Sequence, residues 1–390
     1  MIIKNRFVNK YKAGFPLIIS DALEQPTQIP VEGSIVDFTE YRGSFVCRGI
    51  IGLQNKGLGW IFTNNQNEQI NADFFSRKIK EALEYRSKLF KSVSTNCFRV
   101  FNGEGDGIGG VTIDNFDGYY LINWYNKGIF KFKDEIISAL EVFGNVKGVY
   151  QKKRFDASYD TDEKSFVKGI KAENPLIVKE NNVKFAIHLE DGAMVGIFLD
   201  QREIRQRIMR EYSKDRSVLN TFSYTGAFSI FASLGGAKST VSIDLSKRNL
   251  TKTLEQYDIN NISTINNKII VEDIFNYFRY ATRKKLKFDT VILDPPCFAR
   301  SKKYKFSAAK DYPNLLKSAI DITKKNGVII ASTNCANFDM KKFKTFILAG
   351  FSGNESNYKI LEEFRLPHDF RTIKRFPAGN YLKVLIIKKI

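Results

Sequence analysis

The sequence is poor in cysteine and histidine and has no long apolar run. It contains four cysteines (Cys47, Cys97, Cys297 and Cys335) and two histidines, with no Cys-x-x-Cys pair. Scattered cysteines without neighbouring histidines argue against a zinc ribbon or a disulfide scaffold and suggest a reducing compartment. The chain also lacks the ~18 consecutive apolar residues of a membrane helix and shows no signal peptide. We therefore expect a soluble, cytoplasmic protein that binds no metal and no membrane.

The composition is that of a globular protein, and its charge is uneven. Among 390 residues, 43% are hydrophobic and 26% charged, which is enough to fold two or three domains. Lysine and arginine number 61 against 42 acidic residues, a net charge of +19. Residues 1–72 carry +1, residues 73–174 carry +2 and residues 175–390 carry +16. This asymmetry favours a polyanionic partner for the C-terminal half, although a general solubility charge would also explain it.

Hydrophobic patterns divide the chain into three segments. Residues 1–72 contain short strand-like runs separated by turn residues, which predicts a small β-rich domain. Residues 73–174 begin with the helical pattern DFFSRKIKEALEYRSKLF and continue with alternating strands, which predicts a central α+β domain. Within this segment we interpret the polar residues 158–174 as a connector. Residues 175–390 alternate short apolar strands with helices, the pattern of a doubly wound α/β domain with a mainly parallel sheet.

Polar residues follow four predicted strands of this third segment. The loop Asn220–Gly226 follows the first strand, and Asp244, Asp273 and Asp294 end later strands. In doubly wound folds, ligands bind beyond the carboxyl ends of the strands. Each aspartate alone could simply cap a helix. Together, in this order, they fit S-adenosylmethionine, with Asp244 at the ribose hydroxyls and Asp294 at the ammonium group.

Long stretches of the sequence resemble the ribosomal large-subunit methyltransferase I family. They include TNCFRVFNGEGDGIGGVTID, MVGIFLDQREIR, LNTFSYTGAFSIFASLGGAKSTVSIDLSKRNL, FDTVILDPPCFARSKK and FPAGNYLKVLII. The resemblance covers essentially the whole chain. It implies an N-terminal PUA-like RNA-binding domain, a central α+β domain and a C-terminal Rossmann-like class I methyltransferase domain. It also implies methylation of cytosine C5 in large-subunit ribosomal RNA, with S-adenosylmethionine as the cofactor.

The strand-end pattern and the resemblance together give the candidate site residues. Residues 196–202 resemble the family segment that leads into the cofactor site, although their pattern alone would indicate a buried strand followed by a helix. The candidate cofactor-binding residues are Phe198, Asp200, Gln201, Asn220, Phe222, Tyr224, Gly226, Asp244, Leu245, Asp273, Ile274, Asp294 and Pro295.

Two cysteines lie where methylation at C5 would require a nucleophile. Cytosine C5 becomes reactive when a thiolate adds to C6, and a base must later remove the C5 proton. The resemblance places Cys297 after Asp294-Pro-Pro and Cys335 after the fifth strand, at the positions that supply this chemistry. Aligned from Gly327, Cys335 is one residue later than the family cysteine. The candidate catalytic residues are therefore Cys335, Cys297 and Asp294, and the sequence leaves open whether Cys335, Cys297 or neither is the nucleophile.

The loop after Cys297 combines basic and aromatic side chains. Such a mixture suits a splayed RNA nucleotide, through stacking and phosphate neutralisation, although a solvated charged loop would have the same composition. The candidate RNA-binding residues are Arg202, Phe298, Arg300, Lys302, Lys303 and Lys305. We interpret the glycine-rich Asn102–Gly107 as structural, because its two carboxylates would repel phosphate. His188 and His368 receive no catalytic role.

Three other functions remain open at this stage. An adenine-N6 methyltransferase would place an aromatic residue directly after Asp-Pro-Pro, whereas this chain has Cys297 there. A catalytically silent RNA-binding or ribosome-assembly protein would not need the strand-end carboxylates. A small-molecule methyltransferase fits poorly with the charge of residues 175–390. The sequence leaves open the modified nucleotide, whether the substrate is naked RNA or a ribosomal particle, and whether the chain forms a homodimer.

Overall fold

The computed structural model describes residues 1–54, 57–155, 165–300 and 305–390. The chain forms two compact units. Unit 1 comprises Met1–Glu180, Ile187–Val195 and His368–Gly379. Unit 2 comprises Asn181–Ala186, Gly196–Pro367 and Asn380–Ile390.

Unit 1 begins with a helix and a small antiparallel sheet. Helix α1 (Asn5–Lys12) precedes four strands in the spatial order β1-β4-β3-β2. The strands are β1 (Leu17–Ile18), β2 (Ile35–Thr39), β3 (Phe45–Gln54) and β4 (Gly57–Thr63). The predicted strands of residues 1–72 are confirmed in position.

A five-stranded sheet follows in the same unit, in the order β5-β6-β7-β8-β9. Its strands are β5 (Cys97–Asn102), β6 (Val111–Phe116), β7 (Tyr119–Trp124), β8 (Gly148–Lys153) and β9 (Phe166–Gly169). Four helices accompany it: α2 (Ala72–Tyr85), α3 (Ser87–Phe90), α4 (Lys127–Phe130) and α5 (Lys133–Phe143). The connector predicted over residues 158–174 is wrong for Phe166–Gly169, which pairs with β8 as an edge strand. Residues 158–164 lie outside the described part of the chain.

The two sheets of unit 1 share one apolar core. Ile50 and Trp60 of the first sheet pack in the same buried cluster as Phe75 of α2 and Phe101 of the second sheet. The segments 1–72 and 73–174, predicted as separate domains, therefore each carry a sheet and share this cluster, while other residues of the first sheet pack with α1 in a second cluster.

A buried arginine fixes three separate parts of unit 1. Arg86, 1% exposed at the end of α2, donates to both carboxylate oxygens of Asp106 at 2.8 and 2.7 Å. It also donates to the carbonyl oxygens of Arg99 and Asp369. Asp106 in turn accepts a bond from the backbone amide of Asn102. The glycine-rich Asn102–Gly107 thus turns tightly around a buried ion pair, as the structural interpretation of this loop expected.

Unit 2 contains a seven-stranded sheet in the order β14-β13-β12-β15-β18-β20-β19. The strands are β12 (Ser217–Thr221), β13 (Ser239–Asp244), β14 (Asn267–Val271), β15 (Phe288–Leu293), β18 (Thr323–Thr333), β19 (Tyr358–Phe364) and β20 (Lys383–Lys389). The first five pair in parallel, and β20 pairs antiparallel with both β18 and β19. The predicted doubly wound sheet is confirmed, and the antiparallel edge is an addition that the sequence patterns did not reveal. Strands β10 (Leu176–Glu180) and β11 (Val183–Ile187) precede it, and β16 (Phe298–Arg300) and β17 (Lys305–Ser307) form a separate antiparallel pair.

Helices cover both faces of this sheet. The six helices are α6 (Arg202–Glu211), α7 (Ala227–Leu234), α8 (Lys247–Ile259), α9 (Ile274–Arg283), α10 (Ala308–Ile322) and α11 (Met340–Gly350). Residues of α9, α10 and α11 form one buried cluster with the sheet, and residues of α6 and α7 form another. Since β13 and β15 flank β12 on opposite sides, the chain reverses its winding direction at β12. Within the described ranges, no helix is long and apolar enough to cross a membrane.

We predict that Arg86→Leu destabilises unit 1 by about 3–5 kcal/mol, because it leaves the Asp106 carboxylate buried without its partner. Urea denaturation of the full chain measures this loss. A matched control on the same helix is Arg77→Leu, since Arg77 is an exposed arginine paired with Glu81 at 2.9 Å. An exposed pair of this kind contributes less than about 1 kcal/mol. Equal losses of unfolding free energy in the two variants would contradict the stabilising role assigned to the Arg86–Asp106 pair.

Candidate functional site

The loop that follows β12 adopts an unusual backbone conformation. Phe222, Tyr224 and Gly226 have φ angles of 54°, 49° and 77°, all in the left-handed region. A side chain at Gly226 would place its Cβ 2.6 Å from Thr253 Cγ2. Glycine is therefore required where the loop enters α7. This backbone brings the amide groups of residues 222–226 to the carboxyl edge of the sheet.

Asp244, at the end of β13, holds that loop in place. One of its carboxylate oxygens accepts a bond from the Tyr224 amide at 2.9 Å. The other oxygen accepts from the Ser246 amide and from the Asn249 side chain. The next residue, Leu245, is 56% exposed and offers an apolar surface at the same edge.

The carboxylate of Asp273 caps a helix. It accepts bonds from the backbone amides of Phe275 and Asn276, at 2.9 and 3.3 Å, at the start of α9. The Ile274 side chain is 5% exposed and packs in the core beneath α9 and α10. At residues 273–274 the surface available to a ligand is therefore mainly backbone and the remaining oxygen of Asp273.

Asp294 follows β15 in a partly buried position. Gln201 donates through Nε2 to Asp294 Oδ1 at 3.0 Å and to Ser332 Oγ at 2.9 Å. Burial, with a smaller contribution from the nearby Asp200, raises the pKa of Asp294 to about 6, although Ser332, Arg205 and Gln201 oppose the rise. A cation beside this carboxylate would relieve that unfavourable burial of charge. Pro295, the next residue, is buried.

The segment that precedes α6 lies at the same carboxyl edge of the sheet. Phe198 is 42% exposed, and its ring centroid lies 5.3 Å from that of Tyr224. Asp200 accepts a hydrogen bond from the Tyr381 hydroxyl at 2.8 Å. Arg202, predicted to contact RNA, is only 8% exposed, so burial leaves little of its side chain for a phosphate. Its neighbour Arg205 donates to the Phe198 carbonyl oxygen, which fixes the segment against α6.

Cys297 and Cys335 lie side by side. The structure bonds their sulfur atoms as a disulfide, with the Cα atoms 4.9 Å apart. The sequence analysis expected no such bond, and the adjacency of the parallel strands β15 and β18 explains the meeting of the loops that follow them. Cys335 is 1% exposed and belongs to the apolar core, while Cys297 is partly buried against it. Among the described residues, Cys47 and Cys97 are buried and form no disulfide, and the Cys97 thiol donates to the Lys179 carbonyl oxygen.

The strand pair β16–β17 carries part of the predicted RNA-binding loop. Phe298 is 65% exposed, and Lys305 is exposed at the start of β17. Phe306 is 5% exposed, and its ring centroid lies 6.4 Å from that of Phe222, which fixes the pair beside the β12 loop. The side chain of Arg300, together with Lys302 and Lys303, lies outside what the structure describes.

Four buried polar atoms in unit 2 lack a hydrogen-bond partner within the described residues. They are Gln201 Oε1, Asn220 Oδ1, Ser223 Oγ and Asn380 Oδ1. Asn220 and Ser223 belong to the β12 loop region, and Gln201 contacts Asp294. Unpaired buried polar atoms cost about 1–3 kcal/mol each, so a cluster of them suits a ligand with donor groups. Together with the strand-end carboxylates, these residues fit S-adenosylmethionine. The part of the chain that the structure describes contains no cluster of side chains suited to a metal ion.

Sequence reasoning missed four contributors to this edge. Ser332, Tyr381 and Lys383 lie in or beside the edge strands, and Arg205 lies on α6. The positions of these residues at the carboxyl edge depend on strand pairing, as in the pairing of Thr333 of β18 with Lys383 of β20, which local sequence patterns do not reveal. The motifs FPAGNYLKVLII, which contains Tyr381 and Lys383, and MVGIFLDQREIR, which ends at Arg205, were available signals, and they indicated resemblance rather than position.

Comparisons with known proteins identify the family of this chain. The family described as S-adenosylmethionine-dependent methyltransferase matches residues 150–387, and a PUA-like domain matches residues 1–64. The chain is 53% identical, over 100% of its length and 99% of the relative's, to YwbD of Bacillus subtilis, provisionally named a ribosomal RNA large subunit methyltransferase. It is 29% identical to Ribosomal RNA large subunit methyltransferase I of Aeromonas salmonicida, over 96% of this chain and 95% of the relative.

A solved structure extends the comparison to the cofactor. The crystal structure of SMU.776, described as a methyltransferase complexed with SAH, matches with a TM-score of 0.92 and 35% identity, over 100% of this chain and 99% of that one. A Streptococcus mutans structure described as SAM-dependent matches with a TM-score of 0.90 and 34% identity, over the same shares of the two chains. With a PUA-like domain, a Rossmann-like sheet and a matching family across residues 150–387, this chain belongs to the S-adenosylmethionine-dependent methyltransferases.

Proposed function

We propose that this methyltransferase modifies a base of large-subunit ribosomal RNA, and that its target atom is C5 of a cytosine. The observation that carries the C5 assignment is the pair Cys297–Cys335, which lies at the carboxyl ends of two adjacent strands beside Asp294. Relatives named as ribosomal RNA large subunit methyltransferases along nearly the whole chain support the RNA substrate. The +16 charge of residues 175–390 and the exposed Phe298 favour it over a small molecule.

The residues at the carboxyl edge have separable roles in this proposal. Asp244 and the β12 loop would hold the ribose side of S-adenosylmethionine, and Asp294 would pair with its ammonium group. The cofactor, when bound, supplies an electrophilic methyl group. Gln201 keeps the Asp294 carboxylate oriented through its bridge to Ser332. Phe298 offers an exposed ring on which a base could stack.

The cysteines would act in the reduced state. A dithiol reductant delivers two electrons and two protons to the sulfur–sulfur bond and leaves two thiols. A Cys335 thiolate would then bond to C6, which makes C5 nucleophilic. C5 would take the methyl group as the bond between that group and the sulfonium sulfur breaks, which leaves S-adenosylhomocysteine. Loss of the C5 proton and departure of the thiolate restore the ring and leave 5-methylcytosine.

A second candidate is methylation of a base nitrogen. It is favoured by the burial of Cys335, which is 1% exposed and packed among apolar side chains. A ring or exocyclic nitrogen carries its own lone pair, so it needs no thiolate. This alternative uses the same cofactor residues and makes the cysteines structural.

For the cofactor site, we expect Asp244→Ala to weaken S-adenosylmethionine binding by about 1–3 kcal/mol, the scale of a lost charge-assisted hydrogen bond. Isothermal titration calorimetry measures the affinity. Asp258→Ala, an exposed aspartate on α8, is the control that should bind normally. Unchanged affinity in Asp244→Ala would remove Asp244 from the site.

Binding should also release a proton near pH 6. Asp294 has a folded pKa of about 6, raised mainly by burial, so it is partly protonated there. A bound ammonium favours the charged carboxylate and lowers that pKa, so affinity should fall as the pH drops below about 6. Calorimetry at pH 6 in two buffers with different ionisation enthalpies measures the proton release. Asp294→Asn should abolish it, and an identical release in that variant would exclude Asp294 as its source.

Nucleoside mass spectrometry of ribosomal RNA from a deletion strain decides the target atom. Loss of one 5-methylcytidine, restored by the wild-type gene but not by Cys335→Ala, would support the proposal. Cys335→Ala should leave cofactor affinity nearly intact, because the thiol acts only in chemistry. RNA with 5-fluorocytosine should trap a covalent adduct with the wild type and with Cys297→Ala. Loss of a nitrogen-methylated nucleoside, with full activity of Cys335→Ala, would instead establish the second candidate.

A further inference from the structure

A lysine is buried at the edge of the candidate site without a carboxylate partner. Lys383, the first residue of β20, is 1% exposed. Its Nζ donates to the Tyr381 carbonyl oxygen at 2.6 Å and lies 5.3 Å from the ring centroid of Phe338. No ion pair that the structure gives among its described residues includes this ammonium.

Such a position is costly for a cation. Lysine is rarely fully buried unless it is paired, because an ammonium loses its hydration without full compensation. Burial and the positive charge of Arg365 lower the pKa of Lys383 to about 8, whereas Asp339 opposes this shift. At pH 7 the side chain is therefore mostly charged, and a nearby anion would stabilise it.

Strand pairing places Lys383 next to the residues that lead to Cys335. Lys383 lies opposite Thr333 in the antiparallel pair β18–β20. The backbone amide of Cys335 donates to Thr333 Oγ1 at 3.3 Å. Side chains alternate along a strand, and Leu385 and Ile387 share a buried cluster with Cys335. Lys383 therefore lies on the face of β20 that packs in the same cluster as Cys335.

We propose that Lys383 is a positioning residue that stabilises the thiolate of Cys335 once the bond to Cys297 is reduced. This proposal deepens the proposed function, because that thiolate is the suggested nucleophile for C6. Reduction by a dithiol adds two electrons and two protons, and ionisation of Cys335 then releases one proton to solvent. The charged groups that act on Lys383 are Arg365 and Asp339, and Asp294 follows β15, the strand that pairs with β18. The cations favour the thiolate, and the two carboxylates oppose it.

The test is the pH dependence of thiol alkylation in the reduced full-length protein. Iodoacetamide labelling from pH 5 to 10, followed by peptide mass spectrometry, gives a titration midpoint for Cys335. Cys335 should ionise below the ordinary thiol value of about 8.5. Lys383→Met should raise its midpoint by about 1 unit or more, the scale of losing a neighbouring opposite charge. Lys383→Arg should restore a low midpoint.

Lys389→Met is the matched control. Lys389 lies on the same face of β20 at its other end, and its Nζ donates to the carbonyl oxygens of Ile320 and Thr323. This variant should leave the Cys335 midpoint unchanged.

Two results would overturn the proposal. One is a wild-type Cys335 midpoint at or above about 8.5, which needs no variant to interpret. The other is the same Cys335 profile in Lys383→Met as in the wild type. Labelling requires neither RNA nor methyl transfer. If nucleoside analysis of ribosomal RNA contradicts the C5 assignment, the labelling result for Lys383 and Cys335 therefore still stands, and the two failures can be told apart.

Discussion

The parallel register of β12 with β13 and β15 is the constraint on which the candidate site depends. It brings Thr221, Ile243 and Leu293 to one edge of the sheet, so the residues that follow them gather there. Asp244 can then hold the β12 loop in its left-handed conformation, and Asp294 can meet Gln201. A shift of register between β12 and β13, or between β12 and β15, would move Asp244 or Asp294 away from the β12 loop.

Local patterns predicted most of this sheet, because alternation and helical spacing are properties of neighbouring residues. The strands ending at Thr221, Asp244 and Leu293 were all identifiable from the sequence. Contacts between distant residues were not, since Gln201 and Asp294 are 93 positions apart. For the same reason the sequence assigned residues 368–379 to the third domain, whereas the Asp369 carbonyl oxygen is bound by Arg86 in unit 1.

For the two cysteines, the position in the fold could be predicted, but the position alone does not establish the chemical role. Resemblance placed Cys297 and Cys335 after the fourth and fifth strands, and the structure brings them into contact. Burial of Cys335 then changes what its chemistry requires, because a thiolate in an apolar core is unfavourable without a nearby cation. The C5 proposal is therefore physically complete only if some group stabilises that charge.

Two buried cations in this chain show why Lys383 is the group to examine. Arg86 is surrounded by acceptors, including both oxygens of Asp106, so its burial is explained by the structure that it holds together. Lys383 has one carbonyl acceptor and an aromatic ring, and burial still lowers its pKa to about 8 although Asp339 opposes this shift. A purely structural position would be filled as well by methionine, at lower cost in desolvation. The ammonium is best explained by an anion that forms beside it, and the thiolate of Cys335 meets that requirement.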